Sequence, residues 1–240
     1  MNMKHMDKLT RLSKRAGGVW VAGVVLAVVV GRLGGFTAMA AEQAPLDIKL
    51  PIPAFMGTPT DIPESEHIEK PSDKPRPPFM APKGTRNLAQ GKKVTLSDSN
   101  PINGAAELVT DGVKEAGDEN VLEMRRRLQW AQIDLEKPAR IYAVLIWHAH
   151  DTPQIAHDVI VQVADDPDFT QNVQTIYNND YDNSAGLGVG KDKEYFESYE
   201  GRLMDAKGVT GRYLRSYSQG STYTALNRYT EIEVYGLPVE

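Results

Sequence analysis

The 240-residue chain contains no cysteine. That absence excludes disulfides, thiolate metal sites, a cysteine nucleophile and a lipid-modified N-terminal cysteine. The catalytic signatures Gly-x-Ser-x-Gly, His-Glu-x-x-His and the P-loop are missing as well. A glycosidase needs only two suitably placed carboxylates, so a polysaccharide-cleaving enzyme stays an alternative to which no motif points. The fold must be held by its core, and a hard cation is the kind of metal that could assist it.

Charge is divided unevenly along the chain. Residues 1–40 carry six lysines and arginines against Asp7, a net +5, so the other 200 residues carry −10, given the formal total of −5. A body this acidic is repelled by phosphate backbones. The sequence therefore predicts no nucleic-acid partner and favours neutral ligands such as sugars, or cations.

The N-terminal segment has the three parts of a secretory signal peptide. A basic stretch ends at Arg15, an apolar run covers residues 17–31, and small residues stand at positions 38 and 40 before Ala41. A helix of that run spans about 22 Å, less than the ~30 Å hydrocarbon core. We therefore expect residues 1–40 to be a cleaved signal peptide, with retention as a membrane anchor through residues 17–41 as the alternative. Both place the body outside the cytoplasm, either secreted or in the periplasm or cell envelope.

Residues 41–86 are rich in proline and have no helical or strand period. Proline removes backbone donors and favours extended polyproline conformations. This composition predicts either a solvated linker or an extended arm lying along the next domain. The apolar pairs Ile52 with Phe55 and Phe79 with Met80 favour packing of parts of this segment.

From residue 87 to residue 240, short alternating or apolar runs are separated by turn clusters, and no twelve residues show a clear helical period. The pattern predicts an all-β domain built as an antiparallel sandwich or jelly roll. The predicted strands are 130–135, 141–147, 159–163, 173–177, 212–218 and 231–235.

Five segments of this domain resemble the discoidin family, also called coagulation-factor type C domains. They are Asn87–Val94, Thr110–Gly112 (TDG), Trp130–Leu135 (WAQIDL), Arg212–Arg215 (RYLR) and Glu231–Gly236 (EIEVYG). The resemblance implies a galactose-binding-like jelly roll of about eight strands, rarely catalytic, that binds sugars, glycans, lipids or protein surfaces through loops at one end. Within the family, the chain is similar to a bacterial secreted subgroup.

The resemblance also implies a structural Ca²⁺ between the early Asp-Gly turn and the glutamate that opens the last strand, here Asp111 and Glu231. Calcium takes roughly six to eight oxygen ligands, and two carboxylates from distant parts of the chain would close the domain much as a disulfide does. The family's Thr-x-Trp after the turn is replaced by residues 115–119, EAGDE. The alternative is that Asp111 caps a turn and Glu231 faces water.

His148 and His150 end a predicted strand and, being two residues apart, share one of its faces. We expect them to contact a sugar, because imidazoles hydrogen-bond to hydroxyl groups. A metal site completed by Asp151, His157 or Asp158 is the alternative.

Two further places offer ligand contacts. Residues 178–192 are rich in glycine, asparagine and aspartate, so Asp180 and Asp182 could bind a ligand or a second cation, or organise the loop through Asx turns. Asn227 and Arg228 lie near Tyr223, and an arginine beside tyrosines can clamp a sugar or a carboxylate. The alternative is an arginine stacked on a surface tyrosine.

These observations predict a secreted, non-catalytic module that binds carbohydrate, such as a glycan or cell-surface polysaccharide, through loops at one end of a jelly roll. The alternative is a membrane-anchored accessory or structural subunit of a cell-envelope complex, in which the proline-rich arm wraps a protein partner. The predicted ligand contacts are His148, His150, Asp180, Asp182, Asn227 and Arg228.

Overall fold

The computed structural model describes residues 41–55, 64–72 and 74–239, so the predicted signal or anchor segment 1–40 lies outside the described residues. From Ala41 onward the chain forms one compact unit. No helix in the described ranges is long and apolar enough to cross a membrane.

The described chain consists of ten strands and two short 3₁₀ helices. The strands are β1 Gln43–Pro45, β2 Met80–Pro82, β3 Arg86–Asn87, β4 Val94–Leu96, β5 Leu122–Met124, β6 Gln129–His148, β7 Ile160–Ala164, β8 Gln174–Asn178, β9 Arg202–Ser218 and β10 Asn227–Pro238. The 3₁₀ helices cover Ala106–Thr110 and Asp118–Asn120.

Strands β3 to β10 form one hydrogen-bonded sheet that closes over its own core. The order along the sheet is β3-β10-β6-β9-β7-β8, with β4 also paired to β6 and β5 to β10. All of these strand pairs are antiparallel. The prediction of an all-β antiparallel sandwich is confirmed.

Strand β6 is long enough to serve both layers of the sandwich. Residues 129–134 pair with β4 and with the end of β9, whereas residues 139–148 pair with β10 and with the start of β9. A register shift between Asp134 and Ala139, where Glu136 has a φ of 69°, turns the chain from one layer to the other. The sequence predicts two separate strands here, and the structure joins them because β9 continues beside both halves.

Alternation in WAQIDL decides which side of the first half of β6 is buried. Ala131, Ile133 and Leu135 lie in the same apolar cluster as Val144 and Ile146 from the second half. Both layers therefore contribute to a single core. The strands β7, β9 and β10 complete it with Val161, Val163, Leu214, Ile232 and Val234.

A second apolar cluster, the outer cluster, lies on the opposite face of the β6–β10 layer. Strand β1 pairs with β2, and the amide of Leu46 donates to the carbonyl of Phe79 at 2.9 Å. Farther along, Ile68 forms a parallel bridge with Glu194. The described part of residues 41–86 therefore lies along the domain. The outer cluster consists of Ala143, Leu145, Trp147 and Tyr235, with Leu46, Ile48, Phe79 and Leu203 packed against them.

Candidate functional site

Four loop segments meet at one end of the sandwich, the loop end, which comprises residues 111–121, 149–159, 178–192 and 219–226. The carboxylate of Asp158 accepts hydrogen bonds from Ser184 Oγ and Gln219 Nε2, both at 2.9 Å. Ala156 forms an antiparallel bridge with Ser221. The loops are therefore tied to one another by hydrogen bonds between their side chains and backbones.

The two predicted histidine contacts are buried inside this end. His148 is 3% exposed and His150 is 1% exposed. Nδ1 of His148 lies 2.7 Å from Oε1 of Glu197, and Nε2 of His150 lies 2.8 Å from the carbonyl of Lys114. The imidazoles thus bond to different partners, and neither presents a surface that a glycan could contact in this arrangement.

Asn227 is also buried and uses all of its hydrogen-bonding groups within the protein. Its Oδ1 accepts from Ser218 Oγ at 2.8 Å and from the Gly220 amide at 2.9 Å. Its Nδ2 donates to the carbonyls of Arg125 and Arg127 at 2.8 and 2.9 Å. Asn227 therefore holds the loop before β10 against the loop before β6, and its geometry suits a positioning role better than a ligand contact.

Arg228 is 9% exposed and is surrounded by acidic groups. Its guanidinium lies 3.2 and 3.3 Å from the two carboxylate oxygens of Asp151 and 3.2 Å from Glu123. Asp118 is farther away, at 4.0 Å. The Tyr223 ring centroid is 5.9 Å from Arg228 Cζ, and Tyr223 itself is 59% exposed. The structure thus brings Arg228 and Tyr223 together and adds acidic partners to them.

Sequence reasoning missed Glu123 as a partner of Arg228. The two residues face each other in the β5–β10 ladder, but the three residues of β5, Leu-Glu-Met, are too few for their alternation to predict a strand. Glu197, the partner of His148, was missed because the segment that carries it is not a strand and reaches His148 only through tertiary folding. Strand pairing, rather than local sequence, is the signal that could have found Glu123.

Asp180 and Asp182 form an acidic triad with Asp158, and ligand oxygens of all three lie within 4.8 Å of one another. The triad could hold a metal ion. Asp180 is fully buried, and its carboxylate accepts from the amides of Ser184 and Ala185. Burial, helped by the negative charges of Asp180 and Asp182, raises the pKa of Asp158. The carboxylates therefore also organise the loop, as the Asx-turn alternative expects.

Glu231 is fully buried, contrary to the alternative in which it faces water. Its Oε2 accepts from the Gly112 amide at 3.2 Å, and its Oε1 has no hydrogen-bond partner within the described residues. Burial raises the pKa of Glu231 to about 9, and the charges of Glu233 and Asp111 add to the rise. Asp111 is exposed and accepts from the Val113 amide at 2.8 Å. An unpartnered buried carboxylate oxygen near a second carboxylate fits a hard cation.

A histidine–glutamate pair beside the loop end gives a testable dependence on pH. His157 Nδ1 lies 2.7 Å from Glu194 Oε1, and this hydrogen bond raises the pKa of His157 against the opposing effect of burial. Because the pKa of His157 is higher in the folded than in the unfolded state, the pair stabilises the fold fully below pH 6.5. This stabilisation is lost as the pH rises through the pKa that His157 has in the folded state. His157→Gln should therefore lower the free energy of unfolding more at pH 6 than at pH 8.5.

The expected difference is about 0.5–1 kcal/mol, because the pair is partly exposed and screened by solvent. Urea unfolding at the two pH values measures it. An equal loss at both values would contradict a charged His157–Glu194 pair.

No protein-family model and no curated protein matches the chain. Among solved structures, the chain is similar to a fucose-binding module of Streptococcus pneumoniae, with 20% identity over 62% of this chain and 97% of that one and a TM-score of 0.42. A CBM32 module produced by Clostridium perfringens, in complex with GlcNAc-α-1,4-galactose, matches with 16% identity over 65% and 96% and a TM-score of 0.45. The lectin-binding domain of lectinolysin, in complex with Lewis b, matches with 17% identity over 64% of this chain and 98% of that one, with a TM-score of 0.45.

These three proteins bind sugars. Other matches are parts of larger enzymes. A family 89 glycoside hydrolase of Clostridium perfringens matches over 15% of its length, with 14% identity over 64% of this chain and a TM-score of 0.47. At identities of 20% or less and TM-scores below 0.5, these likenesses leave the ligand and the role of this chain open.

Proposed function

We propose that the chain is a secreted, non-catalytic module that binds carbohydrate at the loop end. The observation that carries this proposal is the exposed ring of Tyr223 beside the fixed guanidinium of Arg228. An exposed aromatic ring can stack on the apolar face of a pyranose, while fixed polar groups hydrogen-bond to its hydroxyls. Asp151 and Asp118 supply acceptor oxygens at the same place, since their side chains are 32% and 96% exposed.

In this proposal the predicted residues divide into contacts and supports. Arg228 lies buried beside the exposed ring of Tyr223, and the exposed Asp182 lies on the neighbouring loop. Asn227 and His148 support the loops from inside through their buried hydrogen bonds. Groups that are fixed before binding lose less conformational entropy when a sugar binds.

We also propose a structural Ca²⁺ at Asp111 and Glu231. Glu231 would offer its unpartnered Oε1, and Asp111 would contribute from the turn before Gly112. A bound ion would supply positive charge to a buried carboxylate and tie the Asp111 turn to β10.

Intact mass of the protein isolated from its native host tests the secretion part of the proposal. We expect a mature N-terminus at Ala41. A mass that still includes residue 1 would instead support the membrane-anchored envelope subunit. The described part of the arm packs on its own sandwich, so it gives no support to the idea of an arm wrapped around a partner.

Tyr223→Ala is expected to weaken glycan binding at least tenfold, because it removes the stacking surface and leaves the buried loop supports in place. Binding is measured by calorimetry with ligands chosen from a glycan array. Tyr142→Ala is the matched control, because Tyr142 is a half-exposed tyrosine near Gly208, inside β6 and close to the bend at residues 134–139. Wild-type affinity in Tyr223→Ala, or no binding of any polysaccharide by the native chain, would overturn the proposal.

A further inference from the structure

A pocket, the flank pocket, lies on the side of the sandwich between the proline-rich arm and the segment that leads into β9. Its volume is about 570 Å³, and it is lined by arm residues 69–72 and 74–77 and by residues 195–198 and 200–203, with Phe55. None of these residues belongs to the loop end. The volume falls within the range of about 300–1,000 Å³ that is usual for small-molecule sites.

Three residues that line this pocket each carry a buried polar atom without a hydrogen-bond partner in the described chain. The atoms are Tyr195 Oη, Glu197 Oε2 and Arg202 Nε. Tyr195 and Glu197 are 5% and 2% exposed. Leaving a buried donor or acceptor unpaired costs free energy, so three such atoms at one pocket indicate that something else completes their hydrogen bonds.

The rest of each side chain is held firmly. The other carboxylate oxygen of Glu197 is 2.7 Å from His148 Nδ1. The guanidinium of Arg202 pairs with Glu69 on the arm and lies over the Tyr195 ring, with Cζ 4.7 Å from the ring centroid. The three unpartnered atoms are therefore presented by side chains with little freedom to turn toward other partners.

The mixture of donor and acceptor groups selects the ligand chemistry. A cation would suit Glu197 Oε2 and be opposed by Arg202. An anion would suit Arg202 Nε and be opposed by Glu197. A hydroxyl group satisfies both, because it donates to the carboxylate and accepts from the guanidinium, and a neighbouring hydroxyl can pair with Tyr195 Oη.

We propose that this flank pocket is a second binding site, for an uncharged polyhydroxylated ligand of monosaccharide to disaccharide size. Phe55 and Phe196 provide aromatic lining for the apolar side of such a ligand. The three atoms are buried beneath the pocket lining, so a ligand reaches them only when other lining side chains move on binding. The arm forms one wall, so the site exists only while the arm is docked. The two sites share no residue, and Glu197, which pairs with the loop-end support His148, is left unchanged in the variants that test the flank pocket.

Calorimetry on the full chain tests the flank pocket, with L-fucose, D-galactose and lactose as neutral probes and glucuronate and glucosamine as charged ones. Tyr195→Phe removes only a hydroxyl that has no partner among the described residues, so its melting temperature should equal that of the wild type. Arg202→Lys is the second variant, since it keeps the charge facing Glu69 and loses the Nε donor. We expect each variant to weaken binding of one neutral probe about tenfold, and we expect Tyr223→Ala to leave that binding event intact.

The outcomes separate the two proposals. Binding that responds to Tyr195→Phe and Arg202→Lys but not to Tyr223→Ala supports the flank pocket, even if the loop end binds nothing. Binding that only Tyr223→Ala removes would overturn the flank pocket and leave the loop-end proposal intact. Tighter binding of a charged probe than of a neutral one at the flank, or no binding of any neutral probe to the Tyr223→Ala variant, would also overturn it.

Discussion

Saturating Ca²⁺ should raise the melting temperature of the wild-type chain by about 5–10 °C, and Glu231→Gln should abolish the rise. The cause is the fully buried Glu231, whose Oε1 has no partner in the described chain. An ion that binds only the folded state stabilises it by about 2.7 kcal/mol at one hundred times its dissociation constant. Each kcal/mol corresponds to about 2–4 °C in a domain of this size. Calorimetry after dialysis against EDTA, with and without added CaCl₂, measures the shift.

A control variant must show whether the calcium response comes from the Asp111–Glu231 site or from the acidic triad of Asp158, Asp180 and Asp182. Asp182→Asn removes the exposed member of the triad and does not touch Glu231. If the calcium response survives in Asp182→Asn and vanishes in Glu231→Gln, the ion binds between Asp111 and Glu231. The reverse pattern would assign the ion to the triad. Identical melting of the EDTA-treated and calcium-saturated wild type would contradict a structural Ca²⁺ altogether.

The alternation of apolar and polar residues in the sequence was sufficient to predict which side chains form the inner face of the sandwich. The alternation of Ala131, Ile133 and Leu135 correctly placed these side chains in the core, because a strand with one buried face must alternate. The limits of strands were harder to predict. Lys207 and Gly208 look like a turn in sequence, yet they lie inside β9 with φ values of 53° and 75°. The irregularity is absorbed as a shift of register against β6, which depends on the partner strand.

The chemistry of the predicted site depended on contacts across the fold. His148 is a strand-end histidine in the sequence. Its hydrogen-bond partner inside the protein, Glu197, lies 49 residues away along the chain. Asn227 resembles a ligand contact until the carbonyls of Arg125 and Arg127 are found on its amide. Polar residues at strand ends can serve a ligand or the loops themselves, and only the positions of their partners decide between these roles.

The arm poses the same problem on a larger scale, because proline-rich composition fits both a solvated linker and a docked segment. In the structure its apolar side chains divide into two sets. One set, comprising Leu46, Ile48 and Phe79, packs on the outer cluster around Trp147. The other set, comprising Leu50, Ile52 and Met80, is 45%, 81% and 52% exposed. Leu46 and Ile48 are followed directly by Leu50 and Ile52, and Phe79 by Met80, so the two sets offer a matched comparison of packed and exposed residues.

Replacing Leu46, Ile48 and Phe79 together by alanine is expected to lower the free energy of unfolding by about 3–5 kcal/mol. Each of these side chains is half-buried against the outer cluster, and full burial of such a side chain contributes about 1.5–3 kcal/mol. The matched triple at Leu50, Ile52 and Met80 should cost less than about 1 kcal/mol. Urea unfolding followed by tryptophan emission measures both, because the first triple uncovers Trp147. Equal losses from the two triples would mean that the arm does not dock in solution.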